Sequence, residues 1–164
     1  MPPIAPLPPH RGTVQQAWVD YNDHMNVGFY VVAFDQATDV VLEAVDLGER
    51  YRKATDRSIF VAELHVTYQN ELRLGEGYAV DTLLLGSDAK RIHMMHVMTR
   101  AADGARAATC ELLLMHVDLK ERRAVPVPEP QAGQLAALAR AQAGVARPPE
   151  TGRAVSLAAK RPIA

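Results

Sequence analysis

The chain has 164 residues, of which 48% are apolar and 23% charged, with a formal net charge of -1 and a sequence pI of about 6.6. This composition is typical of one soluble globular domain and excludes a disordered or fibrous chain. The nearly neutral charge provides no basic field that would attract nucleic acid or an anionic membrane surface. We therefore expect neither as a partner.

The N-terminal residues show no pattern typical of secretion or membrane anchoring. No basic start precedes an apolar run, and no stretch reaches the ~18 apolar residues of a membrane helix. We therefore predict a cytoplasmic protein. Five prolines lie within the first nine residues, which predicts an extended N-terminal arm, bounded at residues 1–11, that cannot join the centre of a sheet.

The spacing of apolar residues predicts an α+β domain over residues 12–124. Residues 13–20 have the pattern of a first strand that ends in a polar turn. From Val27 the apolar residues recur at i, i+3, i+4 and i+7 for five turns, which predicts one long amphipathic helix with Gly48 as its C-cap. After a polar connector at 49–57, alternation with period two predicts four antiparallel strands, at 60–68, 78–85, 90–100 and 105–119.

The C-terminal part divides into an extension and a tail. Three prolines between residues 126 and 130 end the sheet, and residues 131–142 predict a short helix within an extension at 125–147. We expect a flexible tail at 148–164. Two strand segments, 92–99 and 107–117, are apolar on both faces, which predicts that a second subunit covers them. Cys110, the single cysteine, lies in this apolar setting and is interpreted as a small buried hydrophobe.

The densest group of functional side chains is the segment WVDYNDHMN, which places a carboxylate, amides, an imidazole and aromatics at the predicted start of the helix. A helix N-terminus offers free backbone N–H groups that can polarise a carbonyl oxygen, while a nearby carboxylate activates water or attacks the carbonyl carbon. Asp20 is the first candidate for that carboxylate. The alternative is that Asn22, Asp23 and Asn26 only cap the helix.

The segment WVDYNDHMNVGFYVVAF resembles the Asp-x-Asn-x-His-x-Asn signature of hot-dog thioesterases related to 4-hydroxybenzoyl-CoA thioesterase. The resemblance extends through SIFVAELHVTYQNEL, LLGSDAKRIHMMH and ATCELLLMHVD, where it is closest to the betainyl-CoA thioesterases associated with L-carnitine dehydrogenase. It implies the hot-dog fold, in which an antiparallel sheet of about five strands wraps around a long central helix. It also implies a homodimer, or a dimer of dimers, because the family builds its sites at the subunit boundary.

By position in the signature, the resemblance assigns a catalytic role to Asp20 and matches His24, Asn26 and Tyr30 to the later positions. The amide that polarises the substrate carbonyl would belong to Asn26 or Val27. Asp23 departs from the family, which usually has glycine there, so we expect a tight left-handed turn that aspartate tolerates.

Glu63 and His65 lie on one face of the predicted second strand. The resemblance makes Glu63 a second acid–base candidate, with His65 at the binding surface, whereas pairing with Arg or Lys across a subunit boundary is an equal alternative. Lys90 and Arg91 follow a turn and either grip the phosphates of coenzyme A or form a solvated hairpin end. His93 and His96 point to opposite faces of one strand, so no metal site is predicted.

The sequence therefore predicts a thioesterase for a short acyl-CoA, with betainyl-CoA as one candidate. Aromatic faces bind quaternary ammonium groups, so Trp18 and Tyr21 are candidates for holding the acyl group, with Val27 and Tyr30 also at the substrate. No cofactor is required, because coenzyme A is part of the substrate. The alternatives are a thioesterase for an aromatic or medium-chain acyl-CoA, and a non-catalytic hot-dog module that binds acyl-CoA.

Overall fold

The computed structural model of the protein describes residues 7–157. Its strands are β1 (His10–Thr13), β2 (Arg57–Tyr68), β3 (Gly77–Ser87), β4 (Arg91–Arg100), β5 (Arg106–Asp118) and the short β6 (Arg123–Ala124). Its α-helices are α1 (Val27–Ala44), α2 (Glu49–Thr55) and α3 (Gln131–Ala141). The strands form one antiparallel sheet in the order β1-β3-β4-β5-β2, and β6 pairs with β5.

The long helix α1 lies against one face of this sheet, which we call the inner face. Its buried residues repeat at the predicted helical spacing and include Tyr30, Phe34, Thr38 and Val41. They share one apolar core with inward residues of β3, β4 and β5. The predicted long helix and four long antiparallel strands are thus confirmed. The apolar residues whose spacing predicted them are the ones buried in the core.

A buried histidine joins α1 to the centre of the sheet. His96 Nε2 lies 2.9 Å from Thr38 Oγ1, and His96 Nδ1 lies 2.8 Å from Thr82 Oγ1. Because the Thr38 hydroxyl donates to the Phe34 carbonyl oxygen, it must accept from His96, which fixes the Nε2–H tautomer. Burial, with a smaller contribution from His10, lowers the pKa of His96 to about 3.

The first strand is shorter and earlier than predicted. Pairing with β3 covers His10–Thr13, and residues Gln16–Trp18 form a 3-10 turn. The prediction of a strand over 13–20 is wrong because β3 begins at Gly77 and offers little backbone beyond it, so Trp18 N–H bonds locally to Gln15 O. The predicted arm boundary at residue 11 also falls inside this strand.

The end of α1 differs from the prediction as well. Asp46, with φ of 55°, takes the left-handed conformation after the helix, whereas Gly48 is the N-cap of α2. Gly48 is therefore not the C-cap of α1, and most of the predicted polar connector is helical. An aspartate can take the position that usually attracts glycine because its short polar side chain tolerates positive φ.

The C-terminal extension contains the predicted helix and packs on the same core. Leu135 and Leu138 of α3 are buried there, and Gln142 accepts a hydrogen bond of 2.6 Å from the Leu84 N–H of β3. Farther on, Glu150 is only 2% exposed. The part of the predicted flexible tail around Glu150 is thus docked on the domain, while residues 158–164 lie outside the described range.

The opposite, outer face of the sheet is partly covered by this C-terminal segment. Glu150 lies 3.2 Å from Arg106, and Gly152 N–H donates to Glu111 at 2.6 Å. Cover by a second subunit stays a prediction. Cys110 is buried on the inner face, where burial raises the pKa of its thiol to about 12, as expected for an inert small hydrophobe. Within residues 7–157, no helix combines the length and apolar character needed to cross a bilayer.

Candidate active site at the start of the long helix

The segment before α1 folds into a closed loop between Val19 and Met25, which form an isolated antiparallel bridge. Asp20 N–H donates to His24 O, and Met25 N–H donates to Leu72 O at 2.7 Å. Asp23 has a φ of 63°, which is the left-handed turn expected at the position where the family usually has glycine. The loop holds Asp20 beside the helix start without a regular strand.

The Asp20 carboxylate is fixed by two hydrogen bonds. Its Oδ1 accepts from Asn22 N–H at 2.9 Å, and its Oδ2 accepts from the Asn26 side-chain amide at 3.1 Å. These bonds, with the Asn22 backbone contributing most and a smaller contribution from His24, hold the pKa of Asp20 below its ordinary value. The group is therefore ionised at neutral pH and points in one direction.

Asn26 connects this carboxylate to the helix. As the N-cap of α1, it accepts from Gly28 N–H at 3.0 Å through the oxygen of the amide that donates to Asp20. Its own backbone N–H donates to Trp18 O at 2.9 Å. Of the two amides predicted to polarise a carbonyl, Asn26 N–H is thus already engaged. Val27 N–H, the first of the helix, has no hydrogen-bond acceptor within residues 7–157.

His24 lies at the mouth of the loop. Its Nε2 is 3.9 Å from Glu71 Oε2, and the two side chains are 34% and 45% exposed. Glu71 also bonds Arg73 at 2.6 Å and accepts, through its backbone, from Arg100 at 3.3 Å. A partly exposed imidazole in this position is accessible to a ligand, and its attraction to Glu71 is weakened by solvent.

The aromatic residues of the segment divide into exposed and supporting members. Trp18 stacks on Phe29 with ring centroids 5.6 Å apart, and Tyr21 is 94% exposed. Tyr30, in contrast, is 3% exposed, and its hydroxyl accepts from Leu72 N–H at 3.0 Å. The structure thus places Tyr30 in the core beneath the site, so the prediction that it contacts substrate does not fit its position.

The structure separates Glu63 and His65 from Asp20 within one chain. Leu64 and Val66 are paired with the core residues Leu112 and Cys110, so the alternating Glu63 and His65 face the outer side of the sheet. There they line a groove of about 640 Å³ with His93, Glu111 and the C-terminal segment 152–155. His93 Nε2 lies 2.8 Å from Glu111 Oε1 across this face.

Lys90 and Arg91 lie at the far end of the sheet. Arg91 begins β4, and Arg100, which ends it, is the residue that bonds Glu71 near His24. Nine residue steps along a strand span roughly 30 Å. Arg91 is moreover paired with Asp88 at 2.6 Å. The basic side chains at the Asp20 end are Arg73 and Arg100, and the sequence offered no pattern that singled them out.

Comparison with known proteins supports the resemblance read from the sequence. A family model described as the thioesterase-like superfamily matches residues 14–135. A Pseudomonas aeruginosa protein named betainyl-CoA thioesterase is 33% identical over 92% of this chain and 95% of its own length. The chain belongs to the thioesterase-like superfamily.

Further relatives of this thioesterase-like chain include larger proteins and solved structures. A Rhizobium meliloti protein named L-carnitine dehydrogenase/betainyl-CoA thioesterase is 34% identical over 87% of this chain, which spans 28% of that longer relative. A candidate thioesterase from Pseudomonas putida KT2440 has a TM-score of 0.79 and 34% identity, with 96% and 99% of the two chains covered. A Staphylococcus aureus protein solved in complex with CoA has a TM-score of 0.85 and 28% identity, with 91% and 94% covered. The predicted hot-dog fold is confirmed.

One residue of the candidate site has no signal in the sequence. Tyr68, the last residue of β2, donates its hydroxyl to the Val27 carbonyl oxygen at 3.1 Å. Its ring contacts that of Tyr30 edge-on, with centroids 5.2 Å apart. The alternation along β2 placed it only on the inner face, and no local pattern could show that the strand ends beside the first turn of α1.

Proposed function

We propose that the protein hydrolyses the thioester of a short acyl-CoA and that betainyl-CoA is its substrate. The observation that carries the proposal is the pairing of an oriented, ionised Asp20 with the unbonded Val27 N–H, joined through Asn26. The names of the relatives from Pseudomonas aeruginosa and Rhizobium meliloti support the substrate.

In this mechanism the thioester carbonyl oxygen accepts from Val27 N–H at the positive end of the α1 dipole, where the developing oxyanion is stabilised. Asp20 either deprotonates a water that attacks the carbonyl carbon or attacks that carbon itself. On the first route the C–S bond breaks and releases coenzyme A, whose thiolate takes up a proton, together with the free acid. On the second route the breaking C–S bond releases coenzyme A and leaves an acyl–Asp20 anhydride, which water then hydrolyses to the free acid and the carboxylate. Both routes use the same carboxylate, and labelled oxygen from water retained in the protein after one turnover would identify the covalent route.

The exposed aromatic residues support the choice of a cationic acyl group. Tyr21, at 94% exposure, has a ring face open to a ligand, and Trp18, just before the loop, is partly buried and stacked on Phe29. A trimethylammonium group over such rings gains about 0.5–2 kcal/mol by cation–π attraction. The acyl group would then be held in front of the loop while its carbonyl carbon lies between Asp20 and Val27.

A matched pair of substrates tests this proposal. Betainyl-CoA and its neutral isostere 3,3-dimethylbutyryl-CoA differ only by carbon in place of the charged nitrogen, and free thiol reports hydrolysis of either. We expect betainyl-CoA to have the higher kcat/KM, by about tenfold, and Tyr21→Ala to reduce that preference. An aromatic or medium-chain acyl-CoA that is hydrolysed faster would contradict betainyl-CoA as the substrate. Stabilisation of the protein by acyl-CoA without thiol release would indicate a binding module and contradict the proposed hydrolysis.

We also propose that the protein forms a homodimer through the free edge of β2. This strand pairs with β5 on one side only, and its exposed residues Phe60, Val61 and Leu64 are 52%, 41% and 42% exposed. An apolar unpaired edge of this length favours pairing with a second copy. Light scattering after size exclusion should give twice the chain mass for the wild type and a lower mass for Val61→Lys. A monomeric wild type would contradict the proposal. The cytoplasmic location stays a prediction.

A further inference from the structure

The hydroxyl of Tyr68 attaches the end of strand β2 to the first turn of α1. Tyr68 O–H donates to the Val27 carbonyl oxygen at 3.1 Å, and the Tyr68 ring packs edge-on against Tyr30. Tyr30 in turn accepts from Leu72 N–H at 3.0 Å. Tyr68 thus connects the end of β2 to Val27, and Tyr30 connects α1 to Leu72, which follows β2 in the chain.

Val27 is restrained mainly through its backbone. The residue is 59% exposed, and its N–H has no acceptor within residues 7–157. Within the helix, the Asn26 carbonyl oxygen, which shares a peptide unit with that N–H, accepts from Phe29 N–H at 3.0 Å, and the Asn26 cap bonds Gly28 N–H. First turns of helices fray because their N–H groups have no intrahelical partner. Tyr68 adds a bond to the Val27 carbonyl from the end of β2, which ties this turn to the sheet.

We propose that Tyr68 is a positioning residue for catalysis, which anchors the first turn of α1 to the end of β2 and so keeps Val27, with its N–H, in place for the substrate carbonyl. The inference rests on the proposed function, because it gives Tyr68 a role in the reaction assigned to Asp20 and Val27. Tyr68 acts through Val27 and without contact to the reacting atoms. Donors for an oxyanion must be oriented before the charge develops, and a misplacement of about 1 Å can cost on the order of 100-fold in rate.

The phenol is suited to this task because it remains a donor. Burial is the main cause that raises the pKa of Tyr68 above its ordinary value, so its hydroxyl keeps its proton over the working pH range. The ring is 44% exposed, and removal of the oxygen alone leaves its packing against Tyr30 in place. Tyr68→Phe therefore removes one hydrogen bond and little else.

The chain contains a matched control at a distance from the site. Tyr51, in α2, bonds His116 Nε2 through its hydroxyl at 2.8 Å, and its ring contacts that imidazole with centroids 5.8 Å apart. Tyr51→Phe thus makes the same chemical change, with a comparable loss of one hydrogen bond, where no substrate is proposed. Any general effect of tyrosine deletion on stability should appear in both variants.

Steady-state hydrolysis of betainyl-CoA, or of whichever acyl-CoA ester the protein hydrolyses fastest, tests the inference. We expect Tyr68→Phe to lower kcat about tenfold with KM within twofold of wild type, since the Val27 amide acts on the oxyanion. Tyr51→Phe should leave both constants within twofold. Equal losses in the two variants, an unchanged kcat in Tyr68→Phe, or a raised KM at unchanged kcat would each overturn the positioning role.

Hydrogen exchange provides a readout that does not depend on turnover. Fraying of the first turn should speed amide exchange at residues 30–34 in Tyr68→Phe and leave it unchanged in Tyr51→Phe. Unchanged exchange in Tyr68→Phe would overturn the inference even if kcat fell. If the wild type hydrolyses no thioester, the proposed function fails, and exchange still decides whether Tyr68 orders Val27.

Discussion

The loop before α1 and the outer face of the sheet have nearly the same side-chain chemistry, yet they differ in what remains unpaired. On the outer face, Glu111 accepts from Gly152 N–H and lies 2.8 Å from His93 Nε2, so each of its oxygens has a partner. In the loop, Asp20 is bonded from two sides by neutral amides, and Val27 N–H has no acceptor among residues 7–157. The loop thus leaves a donor free beside an oriented carboxylate, whereas both oxygens of Glu111 are occupied.

This difference shows that local density of polar residues does not identify a site. Carboxylates bonded by neutral donors keep their full charge, with the pKa lowered, as for Asp20. Glu63 has the appropriate residue type and a place in the resemblance, and within one chain it faces the outer groove, away from Asp20.

The largest expected effect compares the two carboxylates directly. Asp20→Asn should reduce kcat/KM by at least about 10³-fold because the base or nucleophile is lost, while the fold and oligomer remain intact. Glu63→Gln should stay within threefold of wild type. Thiol release measured for both variants decides the comparison, and a loss in Glu63→Gln as large as in Asp20→Asn would return Glu63 to the reaction centre.

The buried imidazole of His96 gives a prediction about stability instead of catalysis. The pKa of His96 is lowered to about 3 by burial, so the unfolded chain, with a pKa near 6.5, binds more protons between those values. The free energy of unfolding should therefore fall as pH drops below about 6.5, by up to about 1.4 kcal/mol per pH unit from this group. Urea unfolding at several pH values should show a flatter dependence in His96→Gln, and parallel curves would contradict the assignment.

A smaller effect is expected at the link between the carboxylate and the helix. Asn26→Asp keeps an acceptor for Gly28 N–H but replaces the donor to Asp20 with a second carboxylate. Repulsion should raise the pKa of Asp20, so the acid limb of kcat/KM moves to higher pH. Loss of the amide that orients Asp20 should lower activity near neutrality about tenfold. An unchanged limb in the pH–rate profile would show that Asp20 does not titrate in catalysis.

The smallest effect is expected on the outer face. Glu111→Gln weakens the contact to His93 and keeps an acceptor for Gly152 N–H, so unfolding should become easier by about 1 kcal/mol with no change in kcat. Chemical denaturation and thiol release on the same sample check both parts. A fall in kcat at unchanged stability would assign this face a role in the reaction.

The fold was predictable where one pattern extended over many residues. The α1 periodicity and the alternating strands determine their own burial, so Val27–Ala44 and the four long strands follow directly. The helix stop at Asp46 was not predictable, because a left-handed aspartate competes with the more common glycine two residues later. Likewise β1 ends where β3 stops offering partners, which only the tertiary arrangement determines.

The residues proposed to take part in the reaction were predictable from the sequence, and the residues that hold them in place were less so. Asp20, Asn26 and Val27 lie together because they are close in sequence, whereas Tyr68 reaches Val27 across 41 residues. Lys90 and Arg91 were candidates for phosphate contact because they follow a turn. Strand β4 separates them from the loop that holds Asp20, so they lie at the opposite end of the sheet. Tyr30 had the spacing of both a core residue and a site residue, and it is buried in the core.

The enclosure of Cys110 has a practical consequence for measuring the reaction. Coenzyme A is detected through its sulfhydryl, and the protein has one sulfhydryl of its own, buried and with a pKa raised to about 12. Native protein should therefore give almost no background with a thiol-specific dye, and unfolded protein should give one equivalent. One reagent can count released product and the folded fraction of each variant, so lost catalysis and lost folding are separated in the same cuvette.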